Sequence, residues 1–373
     1  MRHLMFAGGC LLVLATATFA APFADGNLVV VRSGDPNFPS MDDKAAPAYL
    51  DEYRFDGTLV QSIPLGDYTD LVSPQFTLRG GGRNGGFISR SYDGNYLTLG
   101  GYIAPVASDD STSSANVRGV ARVDLNGNVD TSTRFTGLGG NEIRSVASYD
   151  GSQFWVVGTG TSGRLRYTTL GSTTSTRVVS SGTSFVVANI FTDSVGDPQL
   201  FLSRNSNANA IYTVNLDGSK LPVVTEDSKA STSTFLNSPG TSAHDFFFLD
   251  ANTLYVTDDD ADGGHGVQKW MFDEALGQWQ LQYILGANMP FLGLDGGLDP
   301  VTGHPVLVGT AIEGTRLYSI TDLGPESQWR FIAEAAPGTM FHDVAVPYQV
   351  PEPATLWLVG LAAGGLLIRT RRR

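Results

Sequence analysis

The stretch richest in metal-ligating side chains is an acidic run between two strand-like segments. Asp258, Asp260 and Asp262 alternate and are followed by Gly263, a pattern in which a tight turn can point three carboxylates at one hard cation such as Ca²⁺. The twelfth position of the run is Lys269, where an EF-hand carries a bidentate acid, and no helical pattern flanks it. The run therefore excludes an EF-hand and leaves two interpretations open, a calcium loop of another kind and a solvated acidic turn.

Two His-Asp dipeptides, His244-Asp245 and His342-Asp343, stand at the start of apolar strand-like segments. A histidine beside carboxylates can act as an acid or a base, or can bind a metal. Adjacent residues of a strand point to opposite faces, so the two members of one pair cannot face the same ligand. The alternative is structural, with the Asp side chain accepting hydrogen bonds from backbone amides of the neighbouring sheet.

Other catalytic signatures are weak. Asp295 and Asp299 flank a Gly-Gly pair and could add carboxylates to a site, but a hydrolytic mechanism depends on their separation, which sequence does not give. No G-x-S-x-G elbow occurs, and the glycine-rich run at 80–86 precedes a strand and not a helix, so it is a linker and not a phosphate cradle. We therefore predict no catalytic residues.

The amino-terminal 20 residues have the pattern of a secretory signal peptide. A basic start precedes an apolar stretch from Leu4 to Ala17, and a cut after Ala20 fits the small residues there. The only cysteine is Cys10, inside this segment, so the mature protein has no thiol for disulfides, metal sites or nucleophilic catalysis. Without residues 1–20 and 352–373 the chain keeps 19 basic and 36 acidic side chains, a formal net charge of −17. That charge disfavours nucleic acid as a partner.

The sequence pattern between the two terminal segments predicts an all-β domain. Apolar alternation at period two recurs in short bursts separated by Asp-Gly, Asn-Gly or Leu-Gly turns, and no amphipathic helix is evident before the tail. Short, evenly spaced strands of this kind are typical of a sandwich, a barrel or a propeller. A four-strand unit recurs five times, beginning near residues 87, 143, 184, 243 and 291.

The two ends of the body complement each other. After the fifth unit only Phe341 to Val346 remains, and the amino terminus offers three strands, at 27–32, 49–55 and 59–64. We therefore predict a six-bladed β-propeller over residues 21–347, closed by amino- and carboxy-terminal strands, which removes free sheet edges. A long β-sandwich or two smaller β domains is the alternative.

The predicted strand order also indicates at which end of the propeller each connection between strands lies. Long segments fall mostly after second or fourth strands, which share one rim, and we expect a ligand or partner to dock on that loop-rich rim. First strands line the central channel, so His244 and His342 are expected at its loop-rich mouth.

The last 24 residues form a separate unit. Pro351, Glu352 and Pro353 precede an uncharged run at 354–368, and the chain ends with Arg369, Arg371, Arg372 and Arg373 as the charged residues of its last five positions. As a helix the 15-residue run would be about 22 Å long, short of the ~30 Å hydrocarbon layer, so it could span a thinned bilayer. The arginines would hold that end in the cytoplasm.

This order of P-E-P triplet, hydrophobic helix and basic terminus resembles the PEP-CTERM sorting signal of Gram-negative bacteria, over residues 350–373 only. The resemblance implies recognition by an exosortase, a membrane cysteine protease, cleavage near the triplet, and a final place at the cell surface or outside the cell. Carriers of this signal are associated with exopolysaccharide and biofilm. An ordinary membrane anchor is the alternative.

Together these features predict a protein exported by the Sec machinery, held transiently in the inner membrane and then sorted. We expect the propeller to be a non-enzymatic module that binds an extracellular polysaccharide or a surface protein. The competing hypothesis is a calcium-dependent hydrolase or lactonase with a channel-mouth site drawn from Asp258, Asp260, Asp262, His244 and His342.

Overall fold

A computed structural model describes residues 20–37, 42–109, 117–138, 140–160, 164–179, 184–205, 211–237, 242–258 and 266–347. The elements of these residues are 25 β-strands, and they confirm the all-β prediction. Most strands alternate or run apolar over five to nine residues, as expected for strands buried on one or both faces.

Four antiparallel four-stranded sheets stand as separate blades, each in simple up-and-down order. The first contains β9 (Ile143–Ser148), β10 (Gln153–Gly158), β11 (Leu165–Thr169) and β12 (Thr176–Val179). The second contains β13 (Ala188–Thr192), β14 (Pro198–Ser203), β15 (Ile211–Asn215) and β16 (Ser231–Leu236). The third contains β17 (Ala243–Asp250), β18 (Thr253–Asp258), β19 (Gly266–Asp273) and β20 (Gln278–Leu285). The fourth contains β21 (Phe291–Leu298), β22 (Pro305–Ala311), β23 (Arg316–Thr321) and β24 (Arg330–Glu334).

The remaining strands form one nine-stranded sheet, so the prediction of six separate blades is wrong. The physical reason is β4, which pairs with both β2 and β6 and thereby joins the strands expected to make two further blades. The sheet contains β1 (Leu28–Ser33), β2 (Ala45–Tyr53), β3 (Leu59–Pro64), β4 (Gln75–Arg79), β5 (Ile88–Arg90), β6 (Tyr96–Ala104), β7 (Val117–Asp124), β8 (Val129–Phe135) and β25 (Met340–Ala345).

The ends of the described chain meet as predicted. β25 pairs antiparallel with β1, with Val29 opposite Ala345 and Ser33 opposite Met340, and β1 continues the sheet to β2 and β3. The bonds of β25 therefore cover what would otherwise be an open strand edge.

Two strands lie in segments, 65–86 and 226–242, whose sequence pattern predicts long loops. β4 falls inside the first, and β16 falls inside the second, whereas the pattern predicts the fourth strand of that blade at Leu221 to Thr225. Both are short and polar on one face, so the period-two signal is weak in them. As a result, the connection at 216–230 is long although it joins a third strand to a fourth.

The inner strands of the sheets form a ring around a central channel. β25 packs beside β5, β5 beside β9, β9 beside β13, and β17 beside β21, which packs beside β25. Phe191 of β13 contacts Phe246 of β17, with ring centroids 5.9 Å apart, and closes the circuit. Buried apolar side chains fill the spaces between neighbouring sheets, for example Trp155 and Leu165 against Ile190 and Leu200. The arrangement is that of a β-propeller.

We call the end of the ring at which the inner strands end the tight-turn face, and the opposite end the loop-rich face. Turns between first and second strands and between third and fourth strands lie on the tight-turn face. β1 begins there and β25 ends there, because Val29 is paired with Ala345.

The predicted signal peptide lies outside the described residues but for Ala20, and the sorting segment with its expected helix at 354–368 lies entirely outside them. Within the described ranges, no helix has the length and hydropathy needed to cross a bilayer.

Candidate functional site

Three aspartates of the inner strands tie each strand to the next one around the ring. Each carboxylate accepts a hydrogen bond from a backbone N–H of the following inner strand or of the residue just after it. The bonds are Leu294 to Asp245 (2.8 Å), Val346 to Asp295 (2.7 Å) and Ile88 to Asp343 (2.9 Å). The geometry is that of the structural interpretation of the His-Asp dipeptides, in which the Asp bonds amides of the neighbouring sheet.

Asp245 and Asp343 also hydrogen-bond to each other, although β21 lies between their strands. The contact is possible because β21 carries Gly293 at the crossing point, where a Cβ would lie 2.0 Å from a carboxylate oxygen of Asp343. Both side chains are buried, and burial raises the pKa of Asp245 to about 7 and raises that of Asp343 well above its usual range. The charge of Asp245 is a second cause of the rise at Asp343, because two carboxylates so close disfavour joint ionisation.

Next to this pair, a cavity of about 280 Å³ opens at the tight-turn face. Its polar wall includes Arg90 from β5, Asn189 from β13, and Asp250 and Asp295 from β17 and β21, and much of the remaining wall is apolar. A concave, largely apolar site with a few converging polar groups is the usual form of a small-ligand site.

Arg90 and Asp295 influence each other electrostatically across this cavity. Burial raises the pKa of Asp295 to about 6, and the positive charge of Arg90 opposes the rise. Burial lowers the pKa of Arg90, and the charge of Asp295 opposes that fall. At neutral pH the cavity therefore presents a guanidinium and a mainly ionised carboxylate to the same ligand.

An aromatic pair stands at the edge of the cavity. The rings of Tyr92 and Tyr149 stack with centroids 5.3 Å apart and planes 21° from parallel. Tyr92 lines the cavity, and its hydroxyl lies 3.1 Å from the hydroxyl of Thr192. Tyr149 is 39% exposed, so this pair offers an aromatic surface to solvent beside the polar groups.

His342 lies at the other end of the channel and is held on both ring nitrogens. Its Nδ1–H donates to the carbonyl of Gly85 at 2.8 Å, and the hydroxyl of Ser33 donates to Nε2 at 2.8 Å. Burial lowers its pKa to about 4, so the ring is neutral at physiological pH. These bonds position His342 as a link between strands, on the loop-rich side, and it does not line the 280 Å³ cavity.

His244 is likewise buried near the loop-rich face. Its ring stacks on Phe87, with centroids 6.5 Å apart, and its backbone carbonyl accepts a hydrogen bond from the hydroxyl of Ser203 at 2.6 Å. It is not among the described residues that line the cavity. The channel-mouth site expected from His244 and His342 stays a prediction, but the larger polar cavity of the channel opens at the opposite end.

Of the acidic run, only Asp258 is among the described residues, while Asp260 and Asp262 lie outside them. Asp258 is buried at the end of β18, where it accepts hydrogen bonds from the backbone N–H of Ser242 (3.1 Å) and the side-chain amide of Gln268 (2.7 Å). Within the described ranges, no group of three or more His, Cys, Asp or Glu side chains is arranged to hold a metal ion. Calcium binding by this run stays a prediction.

Sequence reasoning placed Asp295 in the channel but missed Arg90 and Asn189. Both lie on short inner strands whose other residues are small or apolar. The signal available was a charged or amide side chain on a first strand that is otherwise small or apolar. It could not be used without knowing that β5 and β13 stand beside each other.

Comparison with known proteins gives one family match and a fold shared with many solved structures, two of which are described here. No curated protein matches the chain. The fold is similar to a proposed 6-phosphogluconolactonase from Bacteroides uniformis, at 12% identity and a TM-score of 0.45, over 84% of this chain and 83% of that one. It is also similar to a proposed 6-phosphogluconolactonase from Bacteroides fragilis, at 11% identity and a TM-score of 0.40, over 86% and 98% of the two chains. Residues 349–373 match the family model of the PEP-CTERM protein-sorting motif. The chain therefore carries a PEP-CTERM sorting motif, which implies export, membrane anchoring before cleavage, and processing by an exosortase.

Proposed function

We propose that this is an exported, exosortase-sorted binding protein whose channel cavity holds one sugar unit of a saccharide. Residues 1–20 act as the signal peptide, 21–347 as the binding domain and 350–373 as the removable sorting signal. The observation that carries the binding function is the cavity at the tight-turn face, where Arg90 and Asp295 face a common space beside the stacked Tyr92 and Tyr149.

The chemistry of this wall suits a neutral or weakly charged sugar. A pyranose offers hydroxyl groups to a guanidinium, a carboxylate and the Asn189 amide, and an apolar face to an aromatic ring or an aliphatic wall. A space of about 280 Å³ is at the small end of ligand sites, which favours one sugar unit over a long segment. The competing docking place, the loop-rich rim, offers a smaller cavity of about 180 Å³ near Ser33 and Met340.

The test is calorimetric titration of the secreted protein with mono- and oligosaccharides taken from a glycan-array screen. We expect Arg90→Gln and Tyr92→Ala to weaken binding about tenfold or more, because both side chains line the cavity. Arg134→Gln is the matched control, since Arg134 is exposed on β8 and does not line the cavity. Thermal unfolding of each variant separates lost contacts from lost fold. If all three variants fold and bind the saccharide with equal affinity, the cavity is not the binding site.

A calcium-dependent hydrolase or lactonase is the second candidate. The observation that favours it is Asp245, which lines the same cavity with a pKa raised to about 7 by burial, a value suited to a general acid. However, its two oxygens already accept backbone hydrogen bonds from Phe246 and Leu294. Turnover of a lactone or glycoside that requires calcium and is lost in Asp245→Asn would favour the enzyme. If calcium binds, it should raise the unfolding temperature, and a chelator should reverse that rise. An unfolding temperature that does not change with calcium would count against a calcium site.

A further inference from the structure

We infer that the tight-turn face is the surface turned toward the membrane while the sorting signal is attached, and that cleavage uncovers the channel cavity. The second half of this inference rests on the proposed binding function, and the first half does not. The partner of this face in the uncut protein is a lipid bilayer surface.

The first step is the position of the chain end relative to the cavity. β25 ends at Ala345 on the tight-turn face, and both Val344 and Ala345 line the channel cavity. Val346 is fixed to β21 by its bond to Asp295. The tail therefore leaves the domain from the wall of the cavity itself.

The amino-terminal end leaves from the same face. The backbone N–H of Phe23 donates to the carbonyl of Leu125 at 3.0 Å, in the turn between β7 and β8. Ala20 packs near Gly127 of that turn. Whichever terminal segment is held by the membrane, the same end of the ring is the nearer one.

The second step is the length of the link. Six residues, 348–353, separate Pro347 from the uncharged run that begins at Ala354. Fully extended, they span about 20 Å, while a domain of this size has a radius of gyration of roughly 20 Å. The link is too short to pass around the side of the domain and bring the loop-rich face to the bilayer.

The third step is the charge of the face. The turns on it carry aspartates whose carboxylates accept the N–H two residues on, at positions 56, 93, 124, 150, 193, 250, 273 and 299. Such a face is repelled by anionic headgroups. The tether and not adhesion holds it near the bilayer, so the domain should leave the surface once the link is cut.

A fluorescence experiment tests the orientation. The uncut protein, purified from a host without the exosortase and carrying Cys10→Ser, has no other cysteine. A single thiol is then placed at Asn252→Cys, in the β17–β18 turn of the tight-turn face, or at Glu313→Cys, in the β22–β23 turn of the loop-rich face, both exposed. Each variant is labelled and reconstituted in phosphatidylcholine vesicles that contain a headgroup quencher.

We expect quenching at position 252 to exceed that at position 313 about twofold or more, because the two sites are separated by the height of the domain. Equal quenching, or more at 313, would overturn the orientation. Protein ended after Pro347 should show no quenching at either site in vesicles with phosphatidylglycerol. Strong quenching at 252 in that form would show adhesion and contradict the charge argument.

A binding comparison tests the uncovering. A saccharide polymer should bind the vesicle-held uncut protein at least about tenfold more weakly than the protein ended after Pro347, while a monosaccharide, small enough to enter the gap, should bind both alike. Equal binding of the polymer to both forms would overturn the uncovering. If neither form binds any saccharide, the proposed function fails, and the quenching result still decides the orientation.

Discussion

At the scale of single residues, the aspartates of this chain serve two opposite electrostatic purposes. In the exposed turns, hydrogen bonds from Thr58 and from Thr302 hold the pKa values of Asp56 and Asp299 below their usual range. In the channel, burial raises the pKa values of Asp245, Asp295 and Asp343 above it. The first group stabilises the fold when ionised and the second when protonated.

These shifts predict a maximum of stability in weakly acidic solution. The turn carboxylates contribute stability above the unfolded pKa of about 3.9, and it is lost as the pH falls through their folded values. The channel carboxyls contribute fully below about 3.9, and their contribution is lost as the pH rises through about 6 to 7. We expect the free energy of unfolding to fall on the order of a few kcal/mol between about pH 5 and pH 8.

Urea unfolding of Asp245→Asn checks this assignment. An amide can keep the bond from Leu294 but loses the one from Phe246, so the variant should be less stable at every pH. Because the amide does not titrate, the decline toward pH 8 should be smaller than in the wild type. Asp150→Asn, in an exposed turn, should keep the wild-type decline. A decline of the same size in Asp245→Asn would show that the buried pair is not its source.

At the scale of elements, sequence patterns predict the positions of strands well and the pairing of one strand with another less well. Alternation at period two locates the strands of the four separate blades except β16, and it identifies Phe341 to Val346 as the closing strand β25. β4 was missed because its five residues follow a polar stretch, and its role depends on pairing with two distant strands at once. The cavity was missed for the same reason, since Arg90, Asn189 and Asp295 are neighbours only after the ring closes.

One element, β21, offers a sharp test of the channel packing. Gly293 lies against the side chain of Asp343, whereas a Cβ at Gly297 would meet nothing within 4 Å. We expect Gly293→Ala to destabilise the protein by about 3 kcal/mol or more, because it pushes apart a buried hydrogen-bonded pair. Gly297→Ala should change stability by less than about 1 kcal/mol. Similar unfolding midpoints in urea for the two variants would argue against the Asp245–Asp343 contact.

A second test concerns hydroxyl groups on the second strands of three blades. Each donates to a backbone carbonyl of the next blade. The bonds are Thr98 to Val146 (2.9 Å), Ser203 to His244 (2.6 Å) and Thr310 to His342 (2.7 Å).

Thr310→Val should cost about 1 to 3 kcal/mol, because it leaves the carbonyl of His342 and the N–H of Gly293 without their buried partner. Thr234→Val, on the exposed side of β16, is the control and should be nearly neutral. Thermal or urea unfolding measures both, and a neutral Thr310→Val would show that the blades do not depend on this bond.

At the scale of the whole molecule, many carboxylates of the acidic chain serve one repeated role in the turns of one face. Eight aspartates of a chain with a formal charge of −17 accept backbone N–H groups in turns at the tight-turn face, as at Asp56, Asp93 and Asp150. Composition alone could not predict this clustering, because it arises only when up-and-down strands bring alternate turns to the same end. The face from which both chain ends leave therefore also carries a ring of turn carboxylates.

The closing strand predicts how the protein responds to loss of its carboxy terminus. A chain ended after Pro347 keeps β25 and should unfold at the same temperature as the uncut protein, because none of the described contacts of the ring is removed. A chain ended after Thr339 loses β25, which uncovers the edge of β1 and removes Phe341 and Val344 from the core around Leu28 and Val30. It also removes Asp343 and His342, each bonded to a distant strand or loop. We expect no cooperative thermal transition in this shorter form, and we expect it to aggregate through the open edge.

Calorimetry and light scattering compare the three chains. A cooperative transition at the original temperature without β25 would contradict closure by the two ends, whereas its loss only in the shorter chain would explain why the sorting cut has to fall beyond Pro347.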